Sequence, residues 1–201
     1  MKKGILSIIF ILSSMGMMAQ TNQNQISVSG VHTYSITPEY SSKMIVSLAN
    51  VYYDTQTMGM SEIKSGYLDK LAKVGISSDR LTEDDLYYAL MGYDKEGTII
   101  EFKTNSLEEM KKFLKVKSIG VTKSDATLKT VLTEEQMAEY AKAAYGNAKK
   151  KAEAIAKKIG RTVGKAISIN DSNSTKINES LYYGSNFESR EYYISVSFEL
   201  L

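Results

Sequence analysis

The chain has 201 residues, no cysteine, one proline and one histidine, with 25 basic against 23 acidic side chains. Lys2 and Lys3 account for the whole surplus, so the remainder is neutral and carries no broad electrostatic footprint for nucleic acid or an anionic membrane, although a local patch stays open. The lack of cysteine excludes disulfide staples and a lipid-modified cysteine, and with one histidine it leaves little for a Cys/His metal site.

The opening MKKGILSIIFILSSMGMMAQ has a basic start, an apolar run over about 5–18 and a small residue at Ala19. This is the layout of a secretory signal peptide cleaved between Ala19 and Gln20, and its apolar run is shorter than the roughly 20 residues a spanning helix needs. A retained anchor is the alternative, because Met17 is bulky for the −3 position. Residues 20–25 are polar and read as a flexible start.

From Ile26 to Ile36 apolar and polar residues alternate, which predicts a half-buried strand with Ile26, Val28, His32, Tyr34 and Ile36 on one face. Pro38 turns the chain. "KMIVSLANVYY" reads as a second strand. Met60, Ile63, Tyr67, Leu71 and Val74 then recur at helical spacing, with Ser61 as N-cap and Gly75 as the stop. "DDLYYALMGYDKEGTIIEFKT" reads as two strands joined by a turn at 94–97. A short helix follows over Leu107 to Lys115, with Ser106 and Glu109 spaced as a capping box. "SIGVTKSDATLKTVL" reads as a strand with a bulge or turn near Lys123, Ser124 and Asp125.

Thr133 to Gln136 is a capping box for the longest helix. Its stripe is Met137, Ala141, Ala144, Ala148, Ala152, Ile155, Ala156 and Ile159, narrow enough for close packing on a sheet or a helix. Lys142, Lys149, Lys150 and Lys157 form a solvated face. Gly146 inside this helix costs about 1 kcal/mol against alanine, and a close contact there is one reason to keep it. "VGKAISI" is a strand, 170–190 a polar loop, and "EYYISVSFELL" an alternating closing strand. The order predicts an α+β fold with largely antiparallel sheets packed with two shorter helices and one long alanine-rich helix.

"KKIGRTVGKAISI" imitates a phosphate loop, but three residues separate Gly160 from Gly164 and Ala166 stands where a hydroxyl is needed. Phosphate loops also open a helix, whereas this stretch leaves one, where carbonyls repel phosphate. Gly160 and Gly164 read as helix-exit glycines, and Lys157, Lys158 and Arg161 answer the negative helix end.

Three stretches resemble the SIMPL-domain family of oxidative-stress-defence and periplasmic immunogenic proteins. They are "ISVSGVHTYSITPE", "VGISSDRLT" and "AAYGNAKKKAEAIAKKIGRTVGKAISI", with "ISVSFEL" as the last strand. Glu39 stands where the family more commonly has Asp. The resemblance implies an exported α+β domain over 26–201, often assembled into rings, with no established catalytic residues. The family's stress label describes a phenotype and identifies no reaction.

No catalytic, cofactor-binding or metal-binding residue is assigned. His32 reads as a structural histidine. Met58 and Met60 offer two thioethers for copper or oxidant scavenging, or simply core packing. Glu83, Asp84 and Asp85 lack the spacing of a calcium loop, and Glu134 and Glu135 answer a helix dipole. Of 14 tyrosines, eight form four adjacent pairs, at 52–53, 87–88, 182–183 and 192–193. Tyr182 and Tyr183, in the polar loop, are the candidate interface. The expectation is an exported, non-enzymatic protein of the periplasm or envelope that works by binding or assembly. Its partners would be copies of itself or an envelope protein, without nucleic acid and without a membrane span after cleavage. The alternative is a small-ligand or metal-binding scavenger.

Overall fold

The computed structural model describes residues 24–51, 58–182 and 189–201. The expected signal peptide with its Ala19–Gln20 junction, Tyr52, Tyr53 and Tyr183 lie outside them. The chain runs β1 (Gln25–Ser35), β2 (Glu39–Ser47), α1 (Met60–Lys73), β3 (Leu81–Asp84), α2 (Asp85–Leu90), β4 (Gly97–Thr104), α3 (Leu107–Lys115), β5 (Val121–Val131), α4 (Glu134–Lys158), β6 (Val163–Asp171), β7 (Lys176–Ser180) and β8 (Ser189–Leu200). It is an α+β fold with two antiparallel sheets, ordered β1-β8-β6 and β3-β4-β2-β5-β7. Two compact units emerge, one from 24–31, Ala143–Asp171 and Tyr193–Leu201, the other from His32–Lys142 and Ser172–Tyr192.

In the first unit α4 shows its alanines to the interior. Ala144, Ala148, Ala152 and Ala156 are fully buried, whereas Ile155 and Ile159 face solvent, against the sequence expectation. The exposed isoleucines lie off the line traced by the i, i+4 alanines. The close approach falls at Gly30 of β1, where a Cβ would overlap Ala144 O and sit 2.8 Å from Ala148 Cβ. Gly146 meets nothing within 4 Å, so no contact explains that glycine. Asn147 Oδ1 accepts from the Val31 N–H (3.1 Å) and Lys151 Nζ donates to Ser29 O (2.6 Å), fixing helix to strand.

In the second unit β2 is central, antiparallel to β4 (Met44 opposite Ile100) and to β5 (Glu39 opposite Lys129). The β2–β5 register slips by one residue at Ser124, a bulge between Lys123 and Asp125. Met44, Val46, Ile100 and Phe102 enter the main core, joined by Ile63, Tyr67 and Leu71 of α1 and Met110 and Phe113 of α3. The alternate positions Ile45 and Ile99 join Tyr88 of α2 in a small second cluster.

Several elements differ from the sequence expectation. β2 begins at Glu39 and gives way after Ser47 to a 3-10 turn, because the Ser47 hydroxyl accepts the Ala49 N–H (2.9 Å). The N-cap of α1 is Gly59, with no side-chain cap, so Ser61 is inside the helix. The first expected strand of 84–104 is the helix α2, and the polar loop contains β7, which pairs with β5 from Thr127 opposite Ser180 to Val131 opposite Lys176.

Candidate functional site

α2 starts because Asp84 Oδ1 accepts the Tyr87 N–H (2.7 Å), a capping bond that turns an extended chain into a helix. Tyr88 is its anchor. The ring is buried, its hydroxyl donates to Lys95 O (2.8 Å) and is bonded to Ser47 Oγ, and Tyr93 stacks on it at 5.3 Å. Gly97 is required beneath it, since a Cβ there would overlap the Tyr88 ring.

Anchoring through Tyr88 turns the rest of the helix outward. Leu86 is 72 % exposed and Leu90 77 %, with Tyr87, Met91 and Tyr93 also exposed beside them. Lys43 Nζ stands 4.2 Å from the Tyr87 ring centre, a cation–π contact. This is a ridge of apolar and aromatic groups beside the Ile45 and Ile99 face of the five-stranded sheet. It offers area to bury, the property of surfaces that meet other molecules. Sequence reading missed it, although Asp84 followed by leucines four residues apart was the available signal.

The other candidates fall elsewhere. Tyr182 is 74 % exposed just after β7, anchored through the neighbouring Leu181 N–H, which donates to Ala126 O (2.8 Å). His32 is half-buried in an aromatic group: its ring is 5.3 Å from Tyr140, which stacks on Tyr34 at 4.4 Å and meets Tyr192 edge-on at 6.0 Å. Burial first, then the neighbouring Tyr140, raises the Tyr34 hydroxyl above its ordinary range. Met58 and Met60 are half-buried against the main core. Glu83 pairs with Lys64, Asp84 is the cap just described, and Glu134 and Glu135 occupy the first turn of α4. Among the described residues no three His, Cys, Asp or Glu side chains gather as metal ligands.

The phosphate-loop lookalike is a helix end. Gly160 has φ +71°, and the Arg161 N–H reaches back to Ala156 O (2.9 Å). The Arg161 guanidinium donates to the carbonyls of Leu200 and Leu201, both at 2.8 Å, so the cation is committed to the end of β8. A Cβ on Gly164 would press on Glu199 and Leu201.

"VGISSDRLT" is likewise structural. Gly75 takes φ +86° to end α1, and the next residue, Ile76, is buried. Arg80 grips Glu109 through two parallel bonds of 2.9 and 2.8 Å, and Thr104 Oγ1 donates to the same carboxylate (2.5 Å). These bonds, Arg80 foremost, lower the Glu109 pKa to about 2. Glu109 is therefore unavailable to close the capping box on Ser106, whose N–H turns to Thr104 Oγ1 instead (3.0 Å).

No helix among the described residues is long and apolar enough to cross a membrane. No curated protein matches the chain. The family comparison matches SIMPL, protein of unknown function (DUF541), over residues 18–197, which takes in both sheets, α2 with its ridge and the long helix, and the chain belongs to this family.

Proposed function

We propose that this is an exported, non-enzymatic protein of the cell envelope that acts by binding, chiefly by assembling with copies of itself. The observation that carries the reading is the ridge at Leu86 and Leu90, two leucines held outward by a buried tyrosine between them. Full burial of a leucine side chain is worth about 1.5–3 kcal/mol. Two of them bring about 3–6 kcal/mol of gross driving force to a contact, before the costs of association. The basic, then apolar, N-terminal sequence supports export. Light scattering on purified residues 20–201, at several concentrations and salt levels, tests assembly. The proposal expects a defined multiple of the protomer mass that persists on dilution, and a monomer throughout would contradict it.

The scavenging alternative rests on Met58 and Met60, which are half-buried against the core. Replacing both with leucine should leave peroxide protection unchanged. Loss of protection in a folded double variant would restore the scavenger.

A further inference from the structure

The C-terminal ends of α1 and α3 lie side by side and border an open groove of about 350 Å³. Its apolar floor is Val74 and Val116, the residues that cap the two helices. Five lysines surround it: Lys70 and Lys73 from α1, Lys112 and Lys115 from α3, and Lys117 just beyond.

Lysines near helix C-termini answer the helix dipole, but the requirement is small. Each helix end carries about half a negative charge, so two ends account for about one lysine. Lys112 has Glu108 at 3.3 Å, an exposed pair of little strength. Lys70 Nζ donates to Lys117 O (3.2 Å) and Ser118 Oγ (3.0 Å), neutral partners that leave its charge standing. Lys73, Lys115 and Lys117 have no ion pair or side-chain hydrogen bond among the described residues, and Asp69, one turn before Lys73, pairs with neither it nor any other lysine. After Glu108, Asp69 and the two helix ends, about two positive charges are uncompensated over an apolar floor. Like charges three residues apart, as in Lys70 and Lys73 or Lys112 and Lys115, lower helix stability. The arrangement therefore gains from an anion.

We propose that this groove binds a single-chain amphiphile with a phosphate-monoester headgroup. The headgroup sits among the lysines and the first part of its chain lies on Val74 and Val116. A phosphate monoester carries a charge of about −1.5 to −2 at neutral pH, a closer match to the surplus than a carboxylate. The volume falls within the range of small-molecule sites, about 300–1,000 Å³. The groove shares no residue with the ridge on α2.

The test is calorimetric titration of the purified protein with dodecyl phosphate below its micelle concentration. Inorganic phosphate and the neutral dodecyl maltoside are the comparators. The expected result is saturable one-to-one binding, about tenfold tighter than either comparator and weaker as salt rises from about 0.05 to about 0.3 M. The variant Lys73→Glu with Lys115→Glu should lose about tenfold in affinity, while Lys73→Arg with Lys115→Arg keeps it. Both positions are exposed, and circular dichroism checks that each variant is folded. Equal affinity for inorganic phosphate would show that the chain is not read. Equal affinity for the maltoside would show that the charge is not read. No saturation, or no loss in the folded charge-reversed variant, would also overturn the site.

Discussion

The two faces of the five-stranded sheet are built from the same strands and are packed by different elements. Even-numbered positions of β2 and β4 (Met44, Val46, Ile100, Phe102) are sealed under α1 and α3. Odd-numbered neighbours (Ile45, Ile99) are buried with Tyr88, from a helix of six residues, in a separate small cluster. The first face owes its burial to two amphipathic helices whose stripes match it. The second packs against the Tyr88 ring of α2, and that ring carries a ridge of exposed leucines with it. Alternation along a strand thus places a stability face and an interaction face one residue apart.

The largest test strikes the sealed face. Phe102→Ala removes a fully buried ring in contact with Phe113 (centroids 5.1 Å apart) and should cost about 3–5 kcal/mol in urea unfolding. A cost near that of a surface change would break the distinction between the faces.

The sealed face also contains a local flaw. The Tyr67 hydroxyl is buried without a hydrogen-bond partner among the described residues, and burial pushes its pKa well above the usual phenol range. Tyr67→Phe keeps the ring and deletes the orphan, so it should raise stability by about 1 kcal/mol in the same assay. A loss instead would reveal a partner for the hydroxyl.

At the rim of this face the Arg80–Glu109 clamp predicts a pH signature. The folded-state pKa of Glu109 is lowered from 4.5 to about 2. Its contribution to stability is therefore fully present above about pH 4.5 and is lost as pH falls from there through about 2. Arg80→Met removes the main cause. The stability gap between parent and variant should be flat above pH about 4.5 and close below it. A gap unchanged down to pH about 2 would mean that the clamp is not electrostatic.

The smallest stability effect belongs to the exposed ridge of α2. Leu86→Asp with Leu90→Asp alters exposed side chains and should move unfolding by no more than about 0.5 kcal/mol per site. Thermal melts of the protomer check this. A large loss would mean that the ridge is core after all.

Much of the sealed face was legible in the sequence, because its signals are local. Ile63, Tyr67 and Leu71 repeat at helical spacing. The start of α4 was legible for the same reason, since Thr133 and Gln136 exchange both capping bonds, at 3.1 and 2.9 Å. The helix α2 was not legible. In "DLYYALM" the tyrosine pair favours strand as readily as helix, and six residues are too few for either period to win. β7 was hidden for another reason: its side chains are mostly polar and exposed, and it is held by backbone pairing to β5. The lysine groove joins residues about 40 positions apart in the chain, so no stretch of sequence contains it. Ile155 and Ile159 misled because an apolar residue beside a stripe of alanines reads as part of it, whereas small residues admit only the line of closest approach.

The most direct measurement is the mass of the parent chain beside the Leu86→Asp, Leu90→Asp variant, by light scattering at matched concentrations. The account predicts a defined multimer for the parent and a folded monomer or smaller species for the variant. Equal masses would contradict it: two monomers would remove assembly as the function, and two identical multimers would move the interface away from α2.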